Sequence, residues 1–97
     1  MARVVYTRNA LANLDRAFAF LAEYDPGAAR DAAASIRNAV DILSDHPLVG
    51  RRLEGEIREL VISYGKTGYI ALYRFLPEHR LIRILAIRHQ RELDYRN

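Results

Sequence analysis

Between Ile57 and Arg88 the chain carries three runs of strand-forming residues, Ile57–Tyr64, Tyr69–Leu76 and Leu81–Arg88. They are joined only by Gly65-Lys66-Thr67-Gly68 and Pro77-Glu78-His79. Links this short cannot carry a crossover, so consecutive runs must lie antiparallel. The C-terminal half is therefore constrained to a meander. In the last two runs both side-chain parities are largely apolar: Tyr69, Ala71, Tyr73 and Phe75 against Ile70, Leu72 and Leu76, then Ile82, Ile84 and Ala86 against Leu81, Leu85 and Ile87. Strands of that texture lie centrally and are covered on both faces, or are partly covered by a partner.

The N-terminal half has a different period. Arg3–Tyr6 (RVVY) reads as a short first strand. Thr7 or Asn9 can cap the helix that follows, in which Leu11, Leu14, Phe18 and Leu21 recur at helical spacing to about Tyr24. Asp25-Pro26 starts a second helix, with Asp25 as N-cap and Pro26 in the first turn, where a missing N–H costs nothing. That helix runs through Ala32, Ile36, Val40 and Leu43 to about Asp45, and its alanine-rich body permits close packing against the first. His46–Gly50 breaks the period, and residues 51–55 continue as loop. The order β-α-α-β-β-β predicts an α+β fold. An N-terminal strand and a two-helix hairpin would pack on a three- to four-stranded antiparallel sheet, with a short C-terminal segment after it.

At 97 residues the chain is one domain, 1–97, with no internal repeat. It has no cysteine, which excludes disulfides, thiolate metal sites and cysteine nucleophiles. Its three histidines are scattered, without carboxylates at ligand spacing, so neither a metal nor another cofactor is expected. The opening MARVVYTRN lacks the apolar run of a signal peptide, and no stretch approaches the ~20 apolar residues of a membrane span. A cytoplasmic protein without membrane contact is expected.

The formal charge of +3 is unevenly distributed, with nine of the fourteen arginines and the single lysine lying after residue 50. A planar guanidinium suits bidentate contact with phosphate or carboxylate. A GC-rich genome would also favour arginine over lysine, but it would not produce the asymmetry. Arg58, Arg74 and Arg83 fall one in each strand run, and Arg74 and Arg83 interrupt apolar rows, which is costly unless each reaches solvent or an anion. They would form a basic face for phosphate or acidic side chains, or else snorkel to water and pair with Glu59 or Glu78. His89 stands at the exit of the last strand, followed by Arg91 and Tyr95. A histidine can act as general base or acid on a ribose 2′-hydroxyl, with Tyr95 in support, although a lone strand-end histidine is more often structural. Gly65-Lys66-Thr67-Gly68 lacks the frame of a phosphate loop and joins strand to strand, so it reads as a hairpin turn.

Four pieces follow one another in order: the Pro47…Gly50-Arg51 loop, Arg58-Glu59 at the head of a strand, Tyr69…Tyr73-Arg74, and Ile84…Ile87 with His89. Their order and spacing resemble the RelE/ParE superfamily of bacterial toxins across essentially the whole chain. The resemblance implies a small toxin that a cognate antitoxin holds inactive in a hetero-oligomer, with any DNA association indirect, through the antitoxin. RelE-like members cut messenger RNA in the ribosome, and ParE-like members poison DNA gyrase. Nuclease members place cations along the strand before the glycine turn and just after the tyrosine that follows it. Aligned through Gly68-Tyr69, those positions are Val61, Ser63 and Ile70, all uncharged. Losing one contact to the developing phosphorane charge typically costs ~10²–10³ in rate, so the ParE-like branch is favoured. Arg58, Arg74, Arg83, His89, Arg91 and Tyr95 are the expected target or antitoxin contacts, with no catalytic residue. The alternative is a ribosome-dependent or free endoribonuclease using His89 as base, Arg83 or Arg91 for the phosphate, and Tyr95 in support. A family member that keeps antitoxin binding but no toxicity is the third possibility.

Overall fold

The structure is a computed structural model and describes residues 1–64 and 67–89. Strand β1 (Arg3–Tyr6) leads into helix α1 (Arg8–Tyr24) and helix α2 (Pro26–Asp41), which a 3-10 turn extends over Ile42–Ser44. Strands β2 (Arg51–Arg52), β3 (Ile57–Tyr64), β4 (Thr67–Leu76) and β5 (Leu81–His89) follow, with a second 3-10 turn over Pro77–His79. The helix starts are set by local chemistry. The Thr7 hydroxyl accepts from the Ala10 amide at 3.1 Å, and the Asp25 carboxylate accepts from the Gly27 and Ala28 amides at 3.0 and 3.2 Å. Asp25 thus ends one helix and caps the next.

The α+β architecture is as the sequence implies: two helices lie on one face of a sheet. The sheet differs in two respects. It is five-stranded, in the order β1-β5-β4-β3-β2, and it is mixed, because β1 runs parallel to β5. The short links dictate only β3, β4 and β5. The first strand is free to choose its neighbour, and after the hairpin it returns beside the last one. Strand β2 falls inside the segment read as loop. Its two residues, paired with Arg58 and Glu59, carry no alternation that could announce a strand.

A bulge in β5 accounts for the apolar residues of both parities in that strand, though not for those of β4. Leu72 pairs with Ala86, but Tyr73 pairs with Ile84, so Leu85 stands opposite nothing on β4. Its carbonyl accepts instead from the Thr7 hydroxyl (3.3 Å) and the Asn9 side-chain amide (3.0 Å), while the Ile87 amide donates to Asn13 Oδ1 (3.0 Å). Three polar side chains around the start of α1 thereby satisfy the backbone that the bulge takes out of the ladder. The extra residue swaps the pattern. Ile82 and Ile84 point to the helices before it, and Ile87 and His89 do so after it.

The core lies between the helices and the inner face of the sheet, around Ile36, Val40, Leu43, Tyr73, Ile82 and Ile84. The α1 stripe contributes less than its spacing suggests. Ala10 is the buried residue of α1, while Leu11 and Phe18 remain 51% and 43% exposed. The small side chains of Ala29, Ala32 and Ala33 on α2 do not fill the space beside that stripe. A solvent-open cleft of about 390 Å³ remains there, floored by Tyr6 and Tyr69. Among the described residues no helix is long and apolar enough to cross a membrane, and no group of three or more side chains could hold a metal ion.

Candidate functional site

Tyr73 is fully buried on the inner face of β4, opposite Arg58 of β3. Its hydroxyl donates to the Pro47 carbonyl and accepts from the Gly50 amide, both at 2.9 Å. Arg58 completes the clamp, donating from Nη1 to the carbonyls of Leu48 (3.2 Å) and Gly50 (2.9 Å). The loop over residues 47–50 is thus held from below by one phenol and from the side by one guanidinium. Gly50 is required by the closeness of this packing. A Cβ at that position would lie 2.6 Å from the Tyr73 ring and hydroxyl and 2.7 Å from the Glu59 carbonyl. Held this way, the loop presents Leu48 and Val49 to solvent, and exposed Arg51 and Arg52 follow it. Arg51 pairs with Glu59 at 2.6 Å.

Burial pushes the Tyr73 phenol above its ordinary 10.0, while the Gly50 amide and the Arg58 charge pull it back. Tyr6 is raised as well, by burial and then by Asp41, against a lowering by Arg37. A folded-state value above the unfolded one means that the native state keeps protons the unfolded chain has released. The stability these two groups contribute is present below about pH 10 and is lost as pH rises through their folded values. Thermal melts from pH 8 to 11 are therefore expected to show a steepening loss above about pH 10. Tyr73→Phe should flatten that slope while costing about 1–3 kcal/mol at neutral pH, because the Gly50 amide loses its acceptor.

The residues singled out in the sequence fall into separate places. Arg58 faces inward and is committed to loop carbonyls. Arg74 and Arg83 are cross-strand partners on the outer face of the sheet, away from the helices. Arg74 also meets Glu56 at 3.1 Å, not Glu59 or Glu78. His89 is on the inner face, opposite Tyr69, with the rings edge-to-face and centroids 5.2 Å apart. Tyr69 and Tyr73 are four residues apart on β4, which places His89 about 13 Å along the sheet from the Arg58 clamp. Arg91 and Tyr95 lie outside the described residues. The sequence reading missed the Tyr73–Gly50 clamp and the Thr7, Asn9 and Asn13 brace on the bulge. The sequence signal for the clamp was a glycine after a proline loop, followed by a tyrosine in an otherwise aliphatic inner row.

The sequence profile of the ParE toxin of the type II toxin–antitoxin system parDE matches residues 4–94. The chain belongs to the RelE/ParE superfamily of type II toxins. Relatives within the superfamily include Toxin RelE2 of Caulobacter vibrioides, 33% identical over 93 residues, which cover 96% of this chain and 100% of that protein. The putative toxin Y4kP of Sinorhizobium fredii is 37% identical over 89 residues, covering 90% and 86% of the two chains. Among solved structures, a chain of the chromosomal ParDE toxin–antitoxin system of P. aeruginosa superposes with a TM-score of 0.75 at 26% identity, covering 92% of this chain and 96% of that one. A chain of the RelBE2 toxin–antitoxin complex of Mycobacterium tuberculosis does so with a TM-score of 0.61 at 31% identity, covering 92% and 98%. The helical hairpin on a sheet is thus the superfamily's fold.

Proposed function

We propose that this toxin arrests growth without catalysis, as a ParE-like poison that binds DNA gyrase and traps its cleaved-DNA state, and that a cognate antitoxin neutralises it by forming a hetero-oligomer with it. The observation carrying this reading is the placement of His89 and Arg83. A nuclease built on them needs the imidazole near the ribose hydroxyl and the guanidinium on the adjacent phosphate. Here they lie on opposite faces of β5, because the bulge turns His89 toward Tyr69 while Arg83 stays on the outer face beside Arg74. The uncharged Val61, Ser63 and Ile70 support the same reading: Val61 and Ile70 pair across β3 and β4 on the outer face, where the neighbouring cation is Arg88 of β5, paired with Ile70. Any DNA association of the complex would be indirect, through the antitoxin.

The relatives that carry the name RelE keep a second reading in view, that of a ribosome-dependent endoribonuclease. His89→Gln and His89→Ala separate the two. Removing a general base costs about 10²–10⁴-fold, so a nuclease would lose its growth arrest in both variants and spare cellular transcripts. For a gyrase poison, both variants are expected to keep arresting growth at similar expression levels, with transcripts intact and linear plasmid accumulating.

A further inference from the structure

Phe20 and Tyr24, on the last two turns of α1, are 63% and 76% exposed, and their rings lie against each other with centroids 5.4 Å apart. They share a face of the helix with the residues that brace β5. At about 100° per residue, Phe20 and Tyr24 each fall within about 20° of Asn13 around the helix axis. Phe18 and Leu11, which line the cleft toward α2, fall roughly 140–160° away. Asn9 and Asn13 reach the backbone of β5 at Leu85 and Ile87. Four residues of helix and two of strand both advance about 6 Å, so α1 and β5 run side by side in the same direction. Continuing that step brings Ala17 level with His89. The helix then extends about 10 Å further, to Tyr24.

We propose that the chain after His89 follows this face of α1, so that residues 90–97 cover Phe20 and Tyr24. The segment reads Gln90-Arg91-Glu92-Leu93-Asp94-Tyr95-Arg96-Asn97. In extended chain, Arg91, Leu93 and Tyr95 share the parity of His89, which faces inward. The other parity holds Gln90, Glu92, Asp94 and Arg96, all polar. Such alternation is what a segment covered on one side requires. At about 3.3 Å per residue, Arg91 comes between Phe20 and Tyr24, and Leu93 comes beside Tyr24. The Arg91 stem and guanidinium can then lie on the aromatic faces while Leu93 is buried against a ring. The tether favours this segment over a second copy or another protein. About four residues suffice to reach Tyr24 from His89, and so short a link gives a local concentration on the order of millimolar. The inference is independent of which cellular target the toxin attacks. It places Arg91 on the helix side of the sheet, across from Arg74 and Arg83 on the outer face.

The chain has no cysteine, so paired substitutions report the contact directly. In Tyr24→Cys/Leu93→Cys protein, mild oxidation should close an intramolecular disulfide, read as a faster-migrating monomer on a non-reducing gel. Phe18→Cys/Leu93→Cys, on the same helix but facing the cleft, is the control and is expected to close at least about tenfold more slowly. In the otherwise unaltered chain, Leu93→Ser should lower Tm by about 4–8 °C. The same change should cost little once Phe20→Ala and Tyr24→Ala are in place, because the contacts it removes are already gone. Equal closure of the two pairs overturns the proposal, since a segment free of the helix would meet both. So does a disulfide that forms only between chains and strengthens with protein concentration, which would assign the face to a second copy. A Leu93→Ser chain that melts like its parent, or a fall in Tm that the α1 substitutions leave unchanged, overturns it as well.

Discussion

Gly50→Val is expected to destabilise the fold by about 2–4 kcal/mol, read as a fall of roughly 10–25 °C in Tm. The added Cβ would come within 2.6 Å of Tyr73 and 2.7 Å of the Glu59 carbonyl. Neither neighbour can yield cheaply. Tyr73 is fully buried with its hydroxyl bonded on both sides, and the Glu59 carbonyl belongs to a strand paired with β2 and β4. The loop would have to lift, breaking the Tyr73 bonds and drawing the Leu48 and Gly50 carbonyls away from Arg58. Because these contacts act as a unit, the cost of Gly50→Val and of Tyr73→Phe should be less than additive. Additive effects in a double-mutant cycle would mean that the loop is not held through Tyr73.

Ile84→Ala should cost about 2–5 kcal/mol, toward the upper end of that range, and chemical denaturation would measure it directly. Ile84 is fully buried and stands between two tyrosines, paired with Tyr6 on β1 and Tyr73 on β4. The cost of such a truncation depends on how far the surroundings can collapse into the cavity. Here the backbone is pinned, since the Ile84 carbonyl accepts from the Thr7 amide at 3.0 Å, and the next carbonyl is held by the Thr7 and Asn9 side chains. For a domain of this size, with total stability on the order of 5–15 kcal/mol, the loss is a large fraction of what holds the chain folded. A loss under about 1 kcal/mol would show that the bulge is soft and that its brace does not set the position of His89.

Local signals in the sequence carried most of the fold. RVVY, the Asp25-Pro26 junction and the two short links name β1, the helix boundary and the β3–β5 meander, because caps, periods and tight turns are properties of neighbouring residues. Long-range choices were not legible. No residue of β1 announces that it will run parallel to β5, and the two residues of β2 are too few to show a period. The bulge was hidden by its own effect, since one inserted residue makes both parities apolar and imitates a strand covered on two sides. The same hidden residue decides the face on which His89 lies, so its separation from Arg83 was out of reach. Arg58 illustrates a different gap. Its charge was plain, but its partners are main-chain carbonyls of a loop, which composition cannot reveal. The uncharged Val61, Ser63 and Ile70, by contrast, were legible once the glycine turn set the alignment.

The mode of action we propose for this toxin is the trapping of gyrase. Antitoxin-free protein incubated with DNA gyrase, supercoiled plasmid and ATP tests it directly. Linear plasmid should accumulate with increasing toxin, and His89→Gln protein should do the same. Undiminished supercoiling with no linear product at stoichiometric excess, together with cleavage of ribosome-bound messenger RNA by the same preparation, would contradict it.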